Sequence, residues 1–181
     1  MDHFREEVVV KKGRAAEEIA FYLSFAILVV FGFLGLLNLS AFLQSFSMGQ
    51  PYWFGLIIGL VEAGIAVLLF LFRPRLRTEY EYTFTNGALD FAQVYNNNKR
   101  KSLGSLNVKT VDAFGKVASS SFQRYVSMQG VKQSRWFLNR GADLYYFFFQ
   151  KDGNKRIIVM EPSAEMVDDI KHYLPFGAWQ D

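Results

Sequence analysis

The hydrophobic pattern divides the chain into an N-terminal part with two long apolar runs and a C-terminal part where apolar and polar residues alternate. The first run extends over about residues 19–43 and the second over residues 53–72. A hydrocarbon core about 30 Å thick is spanned by roughly 20 helical residues. The linker between the runs contains Gly49 and Pro51, which interrupt helices. The pattern therefore predicts a two-helix transmembrane hairpin over residues 19–72.

Lysine and arginine residues flank the outer ends of the two runs and are absent from the linker. Because such residues accumulate on the cytoplasmic side of membrane proteins, we expect a multi-pass protein with both termini in the cytoplasm. Residues 1–18 then form a cytoplasmic segment, which is too acidic for a cleaved signal peptide. The flanking residues are Arg5, Lys11, Lys12 and Arg14 before the first run, and Arg73, Arg75 and Arg77 after the second.

Glu62 is the only charged residue in the segment 19–72 and lies at the middle of the second run. A charge at the bilayer centre costs about 2.5–3.5 kcal/mol on insertion scales. Gly55, Gly59 and Ala66 share its helical face, and small residues there allow close helix approach. The preferred interpretation is a protonated carboxyl in a helix contact, within the hairpin or an oligomer. Two alternatives stay open: pairing with a cation of another membrane protein, and an ion or proton pathway.

After Arg77 the periodicity of apolar residues changes to two, which predicts β-strands. The dipeptides Asn86-Gly87 and Asp152-Gly153 suit the type I′ turns of hairpins. Residues 116–133 are predicted to form a long loop with at most one weak strand. The predicted strands are the pair around Asn86-Gly87, followed by Leu103–Leu106, Lys109–Phe114, Ser134–Leu138, Asp143–Gln150 and Lys155–Glu161.

A helix is predicted after the last strand, opened by Pro162 and Ser163 and extending through Leu174. Its apolar residues recur at helical spacing and form one stripe. Seven short strands followed by one amphipathic helix give an α+β, mainly β domain over residues 73–181. This order resembles a pleckstrin-homology (PH) domain, a seven-stranded sheet or barrel capped by a C-terminal helix. The stripe residues are Met166, Val167, Ile170, Tyr173 and Leu174.

Two stretches, "RTEYEYTFTNGALDF" and "IIVMEPSAEMVDDIKHYLP", resemble a family of small, uncharacterised membrane proteins from Gram-positive Firmicutes. The resemblance covers most of the chain. It implies two N-terminal spans, a cytosolic domain similar to bacterial PH domains, and a location in the bacterial plasma membrane. It implies no activity.

Two basic groups are candidate contacts for anionic lipid headgroups. Each basic residue near an anionic surface contributes about 1 kcal/mol of binding. The group after the second run can instead serve only as a topology determinant, and the group at residues 96–101 can be a solvated turn. The candidates are Arg73, Arg75, Arg77, Lys99, Arg100 and Lys101.

The aromatic run Tyr145–Phe149 predicts a strand that is buried on both faces. Alternate residues of a strand point to opposite sides, so both sides of this one are apolar. The predicted C-terminal helix can cover one face. The other face is covered by a second layer of the core or by a partner.

The chain has few of the residues and motifs on which most enzyme mechanisms depend. The chain has no cysteine, its histidines are His3 and His172 only, and phosphate-binding loops are absent. We therefore expect no catalytic residues, cofactor or metal. The net charge of +3 is too small to indicate nucleic acid binding.

These features together favour a non-enzymatic adaptor that presents its PH-like domain at the cytoplasmic face of the membrane. Expected partners are the lipid bilayer and either another membrane protein or further copies of the chain. The alternative is a subunit of a transport or signalling complex in which Glu62 takes part in the mechanism.

Overall fold

The computed structural model describes residues 3–180 and divides them into two compact units. One unit is a helical hairpin made of residues 13–78 with residues 95–97. The other unit is rich in β-strands. It contains the described residues up to Lys12, together with Glu79–Val94 and the described residues from Asn98 onward.

The helical unit consists of helix α1, Ala15–Ser47, and helix α2, Trp53–Phe72, followed by a 3-10 turn at Arg73–Leu76. Both helices are long and apolar enough to be candidate membrane spans. Helix α1 is longer than the predicted run, because Glu17 and Glu18 in its first turn favour a helix N-terminus. Most of the large apolar side chains of both helices are exposed in the isolated chain, as expected of a surface that lipid covers.

Four strands form the first sheet, in the order β1-β2-β3-β4. The strand at Phe4–Val9 corrects the expectation that residues 1–18 are a segment separate from the domain, since it pairs antiparallel with the strand that starts at Thr78. Its pattern was hard to recognise because two of its inward positions, Arg5 and Glu7, are charged. The strands are β1, Phe4–Val9; β2, Thr78–Thr85; β3, Ala88–Tyr95; and β4, Lys99–Asn107.

Five strands form the second sheet, in the order β6-β8-β7-β5-β9. Strand β7 is antiparallel to β5 and β8, whereas the pairs β6–β8 and β5–β9 are parallel. The strands are β5, Ala113–Lys116; β6, Lys132–Trp136; β7, Tyr145–Lys151; β8, Asn154–Met160; and β9, Trp179–Gln180.

The two sheets correct the prediction of a seven-stranded sheet or barrel. The described residues form nine strands, and each sheet keeps two free edges, so no ladder joins the sheets into a closed barrel. The two additional strands are β1 and the two-residue β9. A 3-10 turn at Val108–Thr110 also replaces the start of the strand that was predicted at Lys109–Phe114.

Two short helices belong to the β-rich unit. Helix α3, Ser120–Val126, lies in the stretch that was predicted to be a loop, and its seven residues are too few to give a clear periodic signal. Helix α4 is Ala164–Tyr173, and the Oγ atom of its N-cap residue Ser163 accepts a hydrogen bond from the nitrogen of Met166 at 3.1 Å.

The aromatic run of β7 is buried on both of its faces. Tyr145, Phe147 and Phe149 belong to the main core cluster, which also contains residues of the first sheet and of α4. Tyr146 and Phe148 point the other way, into a second cluster that includes Phe122 of α3. This chain therefore covers both faces of β7 itself.

Candidate functional site

Glu62 has a hydrogen-bond partner inside the helical hairpin. The Nδ2 atom of Asn38 donates to Oε2 of Glu62 at 2.9 Å, and the same nitrogen lies 3.2 Å from the carbonyl oxygen of Leu34. Asn38 was not predicted as a partner, because a cation was expected beside a carboxyl group in the membrane. A polar side chain within the first apolar run was the signal that could have identified it.

Small residues bring the two helices together beside Glu62. A Cβ atom added at Gly59 would lie 2.9 Å from Cγ of Leu39. Ala66 lies on the same side and faces Gly32, where an added Cβ atom would be 3.9 Å from that of Ala66. Gly55 does not contact α1 in this way. A Cβ atom added at Gly55 would instead meet the ring of Tyr52, the residue that precedes α2.

The three arginines after α2 have different surroundings. The Cζ atoms of Arg73 and Arg77 lie 3.9 Å and 3.8 Å from the ring centroid of the buried Phe21. Arg77 also forms an ion pair with Glu18. Arg75 is exposed, with its Cζ atom 4.7 Å from the ring centroid of Phe72. Two of the three predicted lipid contacts therefore join the ends of α1 and α2.

The second predicted basic group is exposed along β4. Asn96 and Asn97 adopt positive φ angles of 49° and 52° in the turn that precedes this strand. Arg100 forms an ion pair of 2.6 Å with Glu81 of β2, while the other two basic residues extend from the strand surface. These two are Lys99 and Lys101.

Strand β1 has a free edge that sequence reasoning missed. The nitrogen of Asn86 donates to the carbonyl oxygen of His3 at 3.0 Å, which fixes the alternation of hydrogen bonds along the β1–β2 ladder. The N–H and C=O groups of the odd-numbered residues of β1 point to β2. The N–H and C=O groups of the even-numbered residues Phe4, Glu6 and Val8 point away from β2. Among residues 3–180, β2 is the only strand that pairs with β1.

A groove with a volume of about 700 Å³ extends beside this strand. One of its walls is formed by residues of β1 and the residues that follow it. The other wall is formed by residues of the segments 139–143 and 161–165. The groove therefore places an unpaired strand edge opposite a wall made of loops and the start of α4.

Asn139 closes one end of the free edge. Its Nδ2 atom donates to the carbonyl oxygen of Val10 at 3.0 Å, and its Oδ1 atom accepts from the nitrogen of Lys12 at 2.7 Å. The side-chain amide thus makes the pair of bonds that a peptide group of a neighbouring strand would make. Glu161 holds Asn139 in place by accepting bonds from its backbone nitrogen at 3.0 Å and from Nδ2 at 2.8 Å.

Charged side chains of β1 attach the strand to α4. The carboxylate of Glu7 accepts hydrogen bonds from both the backbone nitrogen and the hydroxyl of Ser163, the N-cap residue. The Nε atom of Arg5 donates to Asp169 at 2.6 Å and lowers the pKa of that carboxyl. The two inward charges that obscured β1 in the sequence are therefore paired with Asp169 of α4 and with the N-cap residue Ser163.

Tyr82 of β2 connects this network to the core. Its buried hydroxyl donates to the carbonyl oxygen of Trp136 and accepts from the nitrogen of Glu161 at 3.3 Å. Burial raises the pKa of Tyr82 far above its usual range, so the hydroxyl keeps its proton. Within residues 3–180, no cluster of His, Asp and Glu side chains could hold a metal ion.

The two candidate membrane helices indicate membrane association, and the two-sheet domain with its C-terminal helix is consistent with the PH-like class. The chain belongs to the family described as bacterial PH-like domain (DUF6106), whose model matches residues 1–179. That match confirms the resemblance to bacterial PH-like proteins. No curated protein and no solved structure matches the chain.

Proposed function

We propose that this protein is a non-enzymatic membrane adaptor whose β-rich unit binds an extended segment of another membrane protein. The observation that carries the proposal is the free edge of β1 beside the 700 Å³ groove. An edge strand offers alternating N–H and C=O groups, and an extended peptide can satisfy them by adding a strand.

The charges of the groove favour a segment that carries basic residues. Asp143 and Glu165 are exposed in its lining, whereas Arg5 is already paired with Asp169. The pKa of Glu165 is lowered by a hydrogen bond to its own backbone nitrogen and by Ser163, so its carboxyl is ionised at neutral pH. Lys12 alone adds a further positive charge, at the end of the groove that Asn139 closes.

The proposed location is the cytoplasmic face of the bacterial plasma membrane, with α1 and α2 as a multi-pass anchor. Basic residues before α1 and after α2, and none in the connecting loop, support this orientation. Segments of other membrane proteins at the same face would then lie within reach of the groove.

The test compares variants of the full-length protein that differ at one backbone donor. The N–H group of Val8 points away from β2, so Val8→Pro removes a free-edge donor and leaves the β1–β2 bonds in place. Val8→Thr keeps the donor and the strand preference and serves as the control. Each tagged variant is purified from bacterial membranes in a mild detergent, and the stoichiometry of co-purifying membrane proteins is measured.

We expect the wild type and Val8→Thr to retain the same partner, and Val8→Pro to lose it while eluting from size exclusion as the wild type does. Retention of that partner by Val8→Pro would contradict binding through the β1 edge. Purification of all three proteins without a stoichiometric partner would contradict the adaptor function.

A further inference from the structure

A second pocket of the β-rich unit brings two adjacent lysines together with an arginine that is distant from them in sequence. It has a volume of about 640 Å³ and adjoins the end of the groove at Lys12 and Asn139. Lys11, Lys12 and Arg140 line it, and all three are exposed. No Asp or Glu residue is part of its lining.

The hydrogen bonds of Asn139 are what bring these cations together. Arg140 follows Asn139 directly, and the Asn139 side chain bonds to Val10 and Lys12. The carboxylate of Glu161 fixes Asn139 from the other side, so the position of Arg140 beside the two lysines is built into the fold. The sequence could not show this convergence because Arg140 is in a separate loop.

Two residues of this pocket, Lys11 and Lys12, are also close in sequence to the first candidate span. Lys12 precedes the start of α1 at Ala15 by three residues, which extended chain covers in at most about 11 Å. The four further residues to Ile19, where the apolar run begins, add about 6 Å of helix. Headgroups occupy about 5–7 Å outside the hydrocarbon core on each side of a bilayer. Only a short stretch of chain therefore separates the lysines of the pocket from the part of α1 that would enter the headgroup layer.

We propose that Lys11, Lys12 and Arg140 form a binding site for the phosphate of an anionic phospholipid. The guanidinium of Arg140 would bind two phosphate oxygens, and the lysines would contribute positive charge around them. This inference rests on the proposed membrane insertion but not on the adaptor role. It also differs from the sequence-based candidates, which follow α2 or lie along β4, whereas Lys11, Lys12 and Arg140 line this pocket.

The test measures lipid binding to the full-length protein in detergent by native mass spectrometry. Phosphatidylglycerol and phosphatidylcholine are titrated separately against the wild type, Arg140→Gln, and the triple variant Lys11→Gln/Lys12→Gln/Arg140→Gln. The matched control is Lys99→Gln/Arg100→Gln/Lys101→Gln, which removes the same number of charges from β4. The recovery of each variant in the membrane fraction reports on insertion independently of lipid binding.

We expect the wild type and the β4 control to prefer phosphatidylglycerol. Arg140→Gln should weaken phosphatidylglycerol binding roughly fivefold, the effect of one basic residue at a charged membrane surface, and the triple variant should lose the preference. Arg140→Lys should restore part of it, because the charge returns without the guanidinium geometry.

Three results would overturn the proposal. The first is equal phosphatidylglycerol binding by the wild type and the triple variant. The second is an equal loss in the β4 control, which would indicate a general effect of charge. The third is displacement of the lipid by inorganic phosphate at millimolar concentration, which would indicate a site for the free anion.

Discussion

At the scale of single residues, the contact between Glu62 and Asn38 explains how one carboxyl is accommodated between two apolar helices. The amide of Asn38 donates to the carboxyl at 2.9 Å, and Gly59 allows the helices to approach closely at the same level. An interhelical hydrogen bond of this kind is worth about 0.6 kcal/mol on average, less than the cost of overpacking a tight helix contact. A substitution that overpacks this contact should therefore cost more stability than one that only weakens the hydrogen bond.

The first prediction compares Glu62→Gln with Gly59→Leu. A glutamine keeps an oxygen that accepts from Asn38, so Glu62→Gln should lower the stability of the detergent-solubilised protein by less than about 1 kcal/mol. Gly59→Leu should cost about 1–3 kcal/mol, because its Cβ would lie 3.1 Å from the backbone nitrogen of Leu39. The measurement is the thermal unfolding of each variant.

Gly64→Leu is the matched control, because a Cβ added at Gly64 would meet no side chain and no atom of α1 within 4 Å. It should unfold as the wild type does. If Glu62→Gln abolishes cellular function while Gly59→Leu is tolerated, ionisation of Glu62 matters more than packing. The alternative of a transport or signalling subunit would then be favoured.

At the scale of elements, a helix or strand could be predicted where its apolar residues recurred with a clear helical or strand periodicity. The hairpin around Asn86-Gly87 was predictable because strong alternation met a dipeptide that adopts positive φ at both positions, here 50° and 93°. Helix α4 was predictable from its apolar stripe, whose residues Met166 and Ile170 are fully buried.

Elements whose stability comes from tertiary contacts could not be predicted. Strand β1 carries charges on its inward face, and these make sense only beside α4, which is more than 150 residues away in sequence. Helix α3 has seven residues and is held by the packing of Phe122 against Tyr146, at a centroid distance of 5.1 Å. The groove was missed for the same reason, because β1 forms one of its walls.

The second prediction tests whether β1 is needed to complete the β-rich unit. A fragment of residues 78–181 lacks this strand and exposes the edge of β2, beside the fully buried Tyr82 and Phe84. A fusion of residues 1–12 to residues 78–181 through a flexible Gly/Ser linker restores the strand. We expect the fusion to unfold cooperatively and the shorter fragment to be aggregated or to lack dispersed amide resonances.

The control for this comparison is the same fusion with Glu7→Ala and Arg5→Ala. These changes remove the bonds from β1 to Ser163 and Asp169 but keep the strand. If these bonds help to hold β1 in place, the substituted fusion should be less stable than the unchanged fusion and more stable than the shorter fragment. A shorter fragment that folds as well as the fusion would contradict a structural role of β1.

At the scale of the whole molecule, the distribution of charge gives the most direct test of how the chain is placed in the membrane. Residues 19–72 contain one charged residue, and lysines and arginines lie on both sides of this segment. If α1 and α2 both span the bilayer, the linker that follows Ser47 and contains Pro51 is on one side of the membrane and the β-rich unit is on the other. The positive-inside rule assigns the β-rich unit to the cytoplasm.

The third prediction uses the absence of cysteine from the chain, which removes any background from a thiol label. Ser47 ends α1 and Ser102 lies in β4, and both are exposed. In intact cells, Ser47→Cys should react with a membrane-impermeant maleimide, whereas Ser102→Cys should react only after the cells are permeabilised. Labelling of Ser102→Cys in intact cells would place the groove and the cationic pocket outside, away from cytoplasmic partners. Both the proposed adaptor function and its orientation would then have to be abandoned.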